Sequence, residues 1–227
     1  MEHSPHTVSD VMTQAVVAVG QEAGFKEIVE TMEKWKVSAL PVLAGEGRVI
    51  GVVSEADLLP KEEFRGSVPS RLEQARRLED VRKAGGVTAR DLMSAPALTV
   101  HPGDTLAQAA RTMAHKSVKR LPVVDGEGLL QGIVSRSDLL KVFLRSDEEL
   151  AAEVRADVID RLFAGAAEDV EAVVTDGVVT LRGSFAAASL LPVAARLVRA
   201  VEGVVDVTLD VTAMTPDLTE PPAAGPR

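Results

Sequence analysis

The sequence predicts a mixed α/β (α+β) fold in which two tandem β-α-β-β-α motifs precede a smaller α-β-β-α-β domain. Three observations support this prediction. The stretch GVVSEADLL at 51–59 returns as GIVSRSDLL at 132–140, each copy mixes helical and strand-like apolar spacings, and the pattern changes after residue 144. An internal duplication therefore organises the first part of the chain.

The duplication covers most of each copy. Residues 8–60 align with 89–141 at an offset of 81 without a gap, and we count 18 identities over the 53 positions. DVMT becomes DLMS, and ALPVLAGEG becomes RLPVVDGEG. Each copy predicts a short strand (16–19 and 97–100), a helix with one apolar face, two strands around a Gly-Glu-Gly turn, and a second helix that starts at a serine.

The segment between the copies, SVPSRLEQARRLEDVRKAGG, predicts an amphipathic helix. Ser70 and Glu73 have capping-box spacing, and two glycines end the helix. A narrow apolar stripe predicts packing across the repeats; it consists of Leu72, Ala75, Leu78 and Val81. Acidic residues alternate with the basic ones, which include Arg82 and Lys83, so the charged side is predicted to be solvated and not to bind nucleic acid.

The last part of the chain predicts a separate small domain. Leu150, Val154, Val158 and Leu162 recur every four residues and predict a helix. The segment VEAVVTDGVVTLRG then predicts two strands around an Asp-Gly turn, followed by a helix at about 190–200 and a strand at 204–211. Residues 214–227 have the composition of a disordered tail.

Composition limits the classes of function. The chain has 227 residues, 46% of them hydrophobic, and no cysteine, which excludes disulfides and thiolate chemistry. A formal charge of -9 and a pI near 5.0 disfavour broad binding to nucleic acid or anionic membranes. No apolar run approaches the roughly 18 residues that span a bilayer, so a soluble, cytoplasmic protein is expected.

The repeated Ser and Asp have two interpretations. In the first, Ser54 with Asp57 and Ser135 with Asp138 only cap helices, because a serine oxygen and a first-turn acid both satisfy helix N-termini. In the second, the carboxylate at the strand-to-helix edge accepts two hydrogen bonds from a ribose diol, while helix amides and nearby cations hold phosphate. The second interpretation describes a nucleotide cleft without catalysis.

Both copies resemble cystathionine β-synthase-type (CBS) motifs over residues 8–143. DVMT and DLMS, ALPV and RLPV, and a final Gly-apolar-apolar-Ser-x-x-Asp recur in this order. The resemblance implies a pseudo-twofold pair that forms a homodimer and binds AMP, ATP or a related adenosine ligand between its motifs. It implies ribose contacts from the acids, ribose or phosphate contacts from the serines, and adenine contacts near two strand residues: Asp57, Asp138, Ser54, Ser135, Val17 and Leu98.

The two copies differ in charge near these residues. The second copy has Lys119, Arg120 and Arg136 where the first has Ser38, Ala39 and Glu55. A phosphate would therefore meet three cations in one place and a carboxylate in the other. We expect the site closed by Ser135 and Asp138 to be the better nucleotide site. The alternative is that the three cations belong to an ordinary surface.

Residues 148–212 resemble a BON domain, a small α/β module often linked to phospholipid surfaces and, in one branch, to potassium binding. GVVTLRG and AVEGVVDVTLDV carry the resemblance. Gly183 and Gly203 within them are also explained by plain hairpin and helix-stop structure. The chain shows no signal segment or span, so stable membrane attachment is not expected.

Enzyme signatures do not occur. His3, His6, His101 and His115 lack metal-ligand spacing, and no nucleophile elbow or phosphate-binding glycine loop is present. We therefore expect no catalysis, no metal and no required cofactor. Trp35 has three interpretations, which are stacking on adenine, lining a dimer surface, and packing into the core at the end of a helix.

These observations predict five segments: a first CBS motif at 1–60, a helical linker at 61–87, a second CBS motif at 88–145, a BON domain at 146–213 and a tail at 214–227. The predicted function is that of a regulatory protein whose CBS pair binds an adenosine nucleotide and transmits its ligand state to the BON domain. The alternative is a ligand-free dimeric scaffold whose BON domain recruits a protein or phospholipid partner. The regulated process is not readable from the fold class.

Overall fold

The structure, a computed structural model, describes residues 6–66 and 77–213. These residues form two compact units, which divide between Leu139 and Leu140. The predicted tail at 214–227, the predicted cap of Ser70 and Glu73, and the first half of the predicted apolar stripe lie outside the described residues. None of the helices within the described ranges is long and apolar enough to cross a membrane.

The first repeat forms a three-stranded sheet beside helices. Its elements are α1 Val8–Val11, β1 Val19–Gly20, α2 Phe25–Trp35, β2 Ala39–Ala44, β3 Arg48–Ser54 and α3 Glu55–Leu58. Strand β2 pairs parallel with β1 and antiparallel with β3. Two further helices belong to the linker, α4 Pro60–Glu63 and α5 Leu78–Gly85. Ile28 and Met32 on α2 are buried against Leu40 and Val42 of β2, as the apolar spacing predicts.

The second repeat has the same order of elements apart from the first strand. They are α6 Ala89–Leu92, α7 Leu106–His115, β4 Arg120–Val124, β5 Leu130–Ser135 and α8 Arg136–Leu139. The predicted strand at 97–100 is reduced to one parallel bridge between Val100 and Val123, and the strand predicted at 16–19 is reduced to β1. Both predictions were too long, because only these residues pair with the neighbouring strand.

A pseudo-twofold relation joins the repeats. The backbone bridges between the repeats are related by the offset of 81 residues. Adding 81 to the first residue of a bridge and subtracting 81 from the second converts one bridge into another. Thr7–Thr105 becomes Thr88–Gly24, Thr13–Ile133 becomes Ser94–Val52, and Arg48–Leu129 becomes itself. Arg48 and Leu129 are counterparts of each other, so the axis passes between them. Each repeat therefore places its DVMT or DLMS segment beside the last strand of the other repeat.

The second unit has the predicted α-β-β-α-β order. It begins with a 3-10 turn at Leu140–Leu144 and contains α9 Asp147–Glu153, a π-helical stretch Val154–Asp160, β6 Ala167–Thr175, β7 Val178–Phe185, α10 Leu191–Arg199 and β8 Asp206–Ala213. The strand order is β6-β7-β8, first antiparallel and then parallel. Asp176 and Gly177 both have positive φ, 51° and 74°, which is the turn that the Asp-Gly pair predicts.

The π-helical stretch changes which side chains enter the core of this unit. Leu150, Val154 and Val158 are buried as predicted, but Leu162 is 54% exposed. A π-helix bonds each residue to the fifth one along and so contains more residues per turn than an α-helix. The four-residue periodicity therefore fails at Leu162. Phe163 is buried in its place, with its ring 5.7 Å from that of Phe185 in an edge-to-face contact.

The conformation and surroundings of the backbone explain two glycines of this unit. Gly183 has φ +125°, and a Cβ there would lie 2.4 Å from the carbonyl oxygen of Asp169. Gly203 has φ +98°, and its Cβ would lie 2.7 Å from the carbonyl oxygen of Val142. Only glycine combines this backbone conformation with so close an approach. Both residues are accounted for by structure alone.

Candidate functional site: the two Ser-Asp motifs

Both Ser-Asp motifs form the same hydrogen-bonded corner between a strand and a helix. In the first copy, the N–H and Oγ of Ser54 donate to Oδ2 of Asp57 at 2.7 and 2.6 Å. In the second, the N–H and Oγ of Ser135 donate to Oδ2 of Asp138 at 2.9 and 2.6 Å. Capping contacts are therefore present in both copies, as both interpretations of the motif allow. In each motif, the cap fixes one carboxylate oxygen.

The other oxygen of Asp57 lies in a buried ion pair. The ammonium of Lys83 is 2.6 Å from Oδ1 of Asp57, and the hydroxyl of Ser94 donates to the same oxygen at 3.2 Å. Lys83 also donates to the Ser94 hydroxyl at 3.1 Å. The side chains of Lys83 and Asp57 are only 6% and 11% exposed. The first motif is thus closed by a cation from the same chain.

Lys83 corrects two predictions about the linker helix. It is the buried residue of α5, whereas Leu78 of the predicted apolar stripe is 71% exposed. The charged side that was predicted to be solvated therefore contributes the side chain that enters the protein. The physical reason is the carboxylate of Asp57, because an ion pair with several hydrogen bonds can hold a lysine where its own solvation is lost.

The second motif is more open. Asp138 is half-buried, whereas Asp57 is buried, and the neighbouring Arg136 is exposed. The Oγ of Ser135 also contacts the hydroxyl of Ser137 at 2.8 Å. The two copies share their cap but differ in how much solvent reaches the acid. The expected order of the two sites stays a prediction.

The three cations of the second copy do not all point to one place. Arg120 lies opposite Ser135 in the β4–β5 ladder, but its Nη2 donates to the hydroxyl of Ser38 in the first copy at 2.8 Å. Arg136 donates through Nε to the carbonyl of Val118 at 3.2 Å, and its backbone N–H donates to the carbonyl of Lys119 at 3.1 Å. The backbones of Arg120, Arg136 and Lys119 therefore lie near Ser135. The guanidinium of Arg120, however, contacts the other copy.

A cavity of about 390 Å³ lies beside the guanidinium of Arg120. Ser38, Lys36 and Glu55 contribute polar groups to its wall, and Val29 contributes apolar surface. The ammonium of Lys36 is paired with Glu33. An anion in this cavity would meet the Arg120 guanidinium and also the carboxylate of Glu55.

The two residues predicted near adenine differ in environment. Val17 is half-buried against the core of the first repeat, and Leu98 is 36% exposed. Val17 follows Thr13, which bridges Ile133 on β5, the strand that ends in Ser135. Leu98 follows Ser94, which contacts Asp57. Each Ser-Asp motif therefore faces the opening segment of the other repeat, so any cleft at these motifs is shared between both copies.

Several residues of these sites were not among the predicted ones. Thr13 and Ser94 end the repeated DVMT and DLMS segments, so their recurring hydroxyl was an available signal. Ser38 was predicted only to be an uncharged counterpart of Lys119. Lys83 gave no signal, because it lies in the linker and has no counterpart in the aligned copies. Trp35 is 55% exposed with the Lys34 ammonium 5.6 Å from its ring, so the core packing considered for it was wrong.

The sequence matches two families of domains. Residues 8–61 and 89–145 match the CBS domain, and residues 146–213 match the BON domain. The chain is 30% identical to the uncharacterized protein MJ1426 of Methanocaldococcus jannaschii over 153 residues, which are 60% of this chain and 90% of that protein. It is 31% identical to the chloroplastic CBS domain-containing protein CBSX2 of Arabidopsis thaliana over 63% of this chain and 66% of that protein.

A solved structure agrees with the fold of the repeats. The crystal structure of CBSX2 in complex with AMP superposes with a TM-score of 0.54 at 33% sequence identity, over 61% of this chain and 97% of that one. The AMP belongs to that protein. From the duplicated motifs, their pseudo-twofold contacts and these similarities, the chain belongs to the CBS-domain proteins and carries a tandem CBS pair followed by a C-terminal BON domain.

Proposed function

We propose that the CBS pair is a non-catalytic sensor that binds an adenosine nucleotide at the motif closed by Ser135 and Asp138. The observation that carries this proposal is the difference between the two acids. Asp57 is buried beside the Lys83 ammonium, whereas Asp138 is half-buried and lies close in sequence to the exposed Arg136. The similarity to CBSX2, whose crystal structure contains AMP, supports an adenosine ligand.

The chemistry of each group suits one part of a nucleotide. The Asp138 carboxylate accepts hydrogen bonds from the ribose diol, and its cap with Ser135 keeps it in position. The guanidinium of Arg120 forms paired hydrogen bonds to phosphate after leaving the Ser38 hydroxyl. Arg136 and Lys119 add positive charge at the same strand end. The apolar side chain of Val17 is available to the adenine face.

Calorimetry with AMP, ADP and ATP tests this assignment. We expect micromolar binding by the wild type and at least about tenfold weaker binding by Asp138→Ala and Arg120→Met, since each removes a charge-assisted contact. Arg90→Met is the matched control, because Arg90 is an exposed arginine of the same repeat and its loss changes net charge equally. Loss of binding in Asp57→Ala with unchanged binding in Asp138→Ala would reverse the order of the sites.

We infer further that ligand binding changes the state of the BON domain, which serves as an output or docking element. A nucleotide that binds two arrangements of the CBS motifs unequally shifts their populations, and the segment at 140–163 continues from the second motif into the BON domain. Hydrogen exchange of residues 145–165 should change at saturating nucleotide. Identical protection with and without ligand would contradict the coupling.

The alternative, a ligand-free dimeric scaffold, is favoured by one observation. Val29 and Trp35 on α2 and Leu59 after α3 are large apolar side chains that are exposed in the single chain. We propose that they contribute to a homodimer. Sedimentation of Trp35→Glu against Lys26→Glu, an exposed residue of the same helix, tests this. Dimerisation without binding of any nucleotide would support the scaffold. Flotation with phosphatidylglycerol vesicles would then indicate a lipid partner, and its absence a protein partner.

A further inference from the structure

The first motif contains a buried ammonium, that of Lys83. It lies on the linker helix α5, outside the repeated motifs, yet it ends within 2.6 Å of the acid that the repeat would use for ligand. Burial of both side chains makes this an internal ion pair and not a surface contact.

The acceptor sites of Asp57 are filled. A carboxylate offers two oxygens with about four lone-pair directions. Oδ2 receives the Ser54 N–H and hydroxyl, and Oδ1 receives the Lys83 ammonium and the Ser94 hydroxyl. A ribose diol that approached Asp57 would therefore have to displace donors that are already in place.

Displacing Lys83 alone would be costly. The ammonium would have to leave a buried position, and its stem is part of a helix that is held by other contacts. Lys61 donates to the carbonyl of Ala84 at 3.0 Å, and Arg77 at the start of α5 donates to Glu63 at 2.8 Å. These contacts attach both ends of α5 to α4 and its flanks, so Lys83 cannot withdraw freely.

We propose that Lys83 is an internal ligand that closes the first Ser-Asp motif, so that the CBS pair binds one adenosine ligand per chain. This inference rests on the proposed function and adds the stoichiometry and the residue that sets it. Lys83 of the linker helix occupies the position that a ribose would need at Asp57. The first motif then serves as an anchor for the linker, and only the second motif reports ligand.

The first test is the number of molecules bound per chain, measured by equilibrium dialysis. We use AMP and also adenosine, because an uncharged nucleoside avoids the carboxylate of Glu55. The wild type and Lys83→Arg should bind one molecule, since both keep the cation. Lys83→Ala should bind two molecules of adenosine, because the ribose acceptor and the Ser94 hydroxyl are then uncovered. One molecule in Lys83→Ala, or two in the wild type, would overturn the proposal.

A second test needs no variant and covers the case in which Lys83→Ala does not fold. Acetylation of the full chain, followed by mass spectrometry, should modify the exposed Lys26 and leave Lys83 protected, without and with millimolar AMP. Reactivity of Lys83 that appears with AMP would show that nucleotide enters the first motif, which contradicts the proposal. A wild type that binds no adenosine ligand at all would instead refute the proposed function, while protection of Lys83 would still support its closure of the motif.

Discussion

Gly51 packs so closely against the side chain of Met93 that a Cβ at Gly51 would be 2.4 Å from the methionine sulfur. The counterpart contact joins Gly132 and Met12, where the corresponding distance is 2.7 Å. The methionine of each DVMT or DLMS segment therefore packs on the glycine of the other repeat's last strand. This contact explains why a glycine precedes both Ser-Asp motifs without reference to a ligand.

Gly51→Ala should destabilise the CBS pair by about 1–3 kcal/mol, because the new methyl group forces Met93 out of its place in a packed region. Gly132→Ala should cost at least as much, since its Cβ also approaches the carbonyl oxygen of Thr13 at 3.1 Å. Gly103→Ala is the matched control, as no atom lies within 4 Å of the Cβ position there. Urea unfolding measures all three. Equal stability of Gly51→Ala and Gly103→Ala would contradict the packing argument.

Gly183→Ala should destabilise the BON domain by at least about 2 kcal/mol, because strained φ adds to a clash with the backbone of Asp169. Gly165→Ala is the control for strain alone, since Gly165 has φ +77° but nothing within 4 Å of its Cβ position. Hydrogen exchange of residues 178–185 in the full chain gives the local stability. A loss no larger than that of Gly165→Ala would show that the strand adjusts to the methyl group.

Arg145→Met should cost the BON domain about 1.5–3 kcal/mol, because it leaves the half-buried Glu153 carboxylate without its cation. The two side chains are 2.6 Å apart and 15% and 14% exposed, and Arg145 also donates to the carbonyl of Glu202 at 2.8 Å. Arg182→Met is the control, as the Arg182–Asp210 pair is largely exposed and should contribute less than about 1 kcal/mol. Similar losses in both variants, measured by urea unfolding, would argue against a special role of the Arg145–Glu153 pair.

The repeat made much of the CBS pair predictable. An offset of 81 residues places equivalent side chains in equivalent elements, so the buried Leu-Pro-Val strands and the capped motifs follow from the alignment. In the BON domain, the apolar periodicity and the Asp-Gly turn predicted the helices and strands. Both signals are local, and both depend on spacings that secondary structure imposes.

The closure of the first motif was not predictable from these signals. Lys83 has interleaved acids around it, and such a pattern normally belongs to a solvated face. Its burial depends on a partner 26 residues away in sequence, which no periodicity encodes. The exposure of Leu78 and Leu162 has a similar origin, because a tertiary ion pair and a π-helical stretch override the local pattern. The reach of Arg120 to Ser38 likewise depends on the packing of one repeat on the other.

Acid should weaken the CBS pair through the caps of α1 and α6. The backbone N–H of Thr7 donates to Asp10 at 2.7 Å, and those of Thr88 and Val87 donate to Asp91 at 3.0 and 3.1 Å. These hydrogen bonds hold the pKa of both carboxyls below the usual value of 3.8. A folded pKa below the unfolded one means that the stabilisation is complete above pH 3.8 and disappears as the pH falls through the folded value. The Tm should therefore drop in this range, and Asp10→Asn/Asp91→Asn should show a smaller drop than the wild type. An equal dependence of Tm on pH in scanning calorimetry would assign the acid sensitivity to other groups.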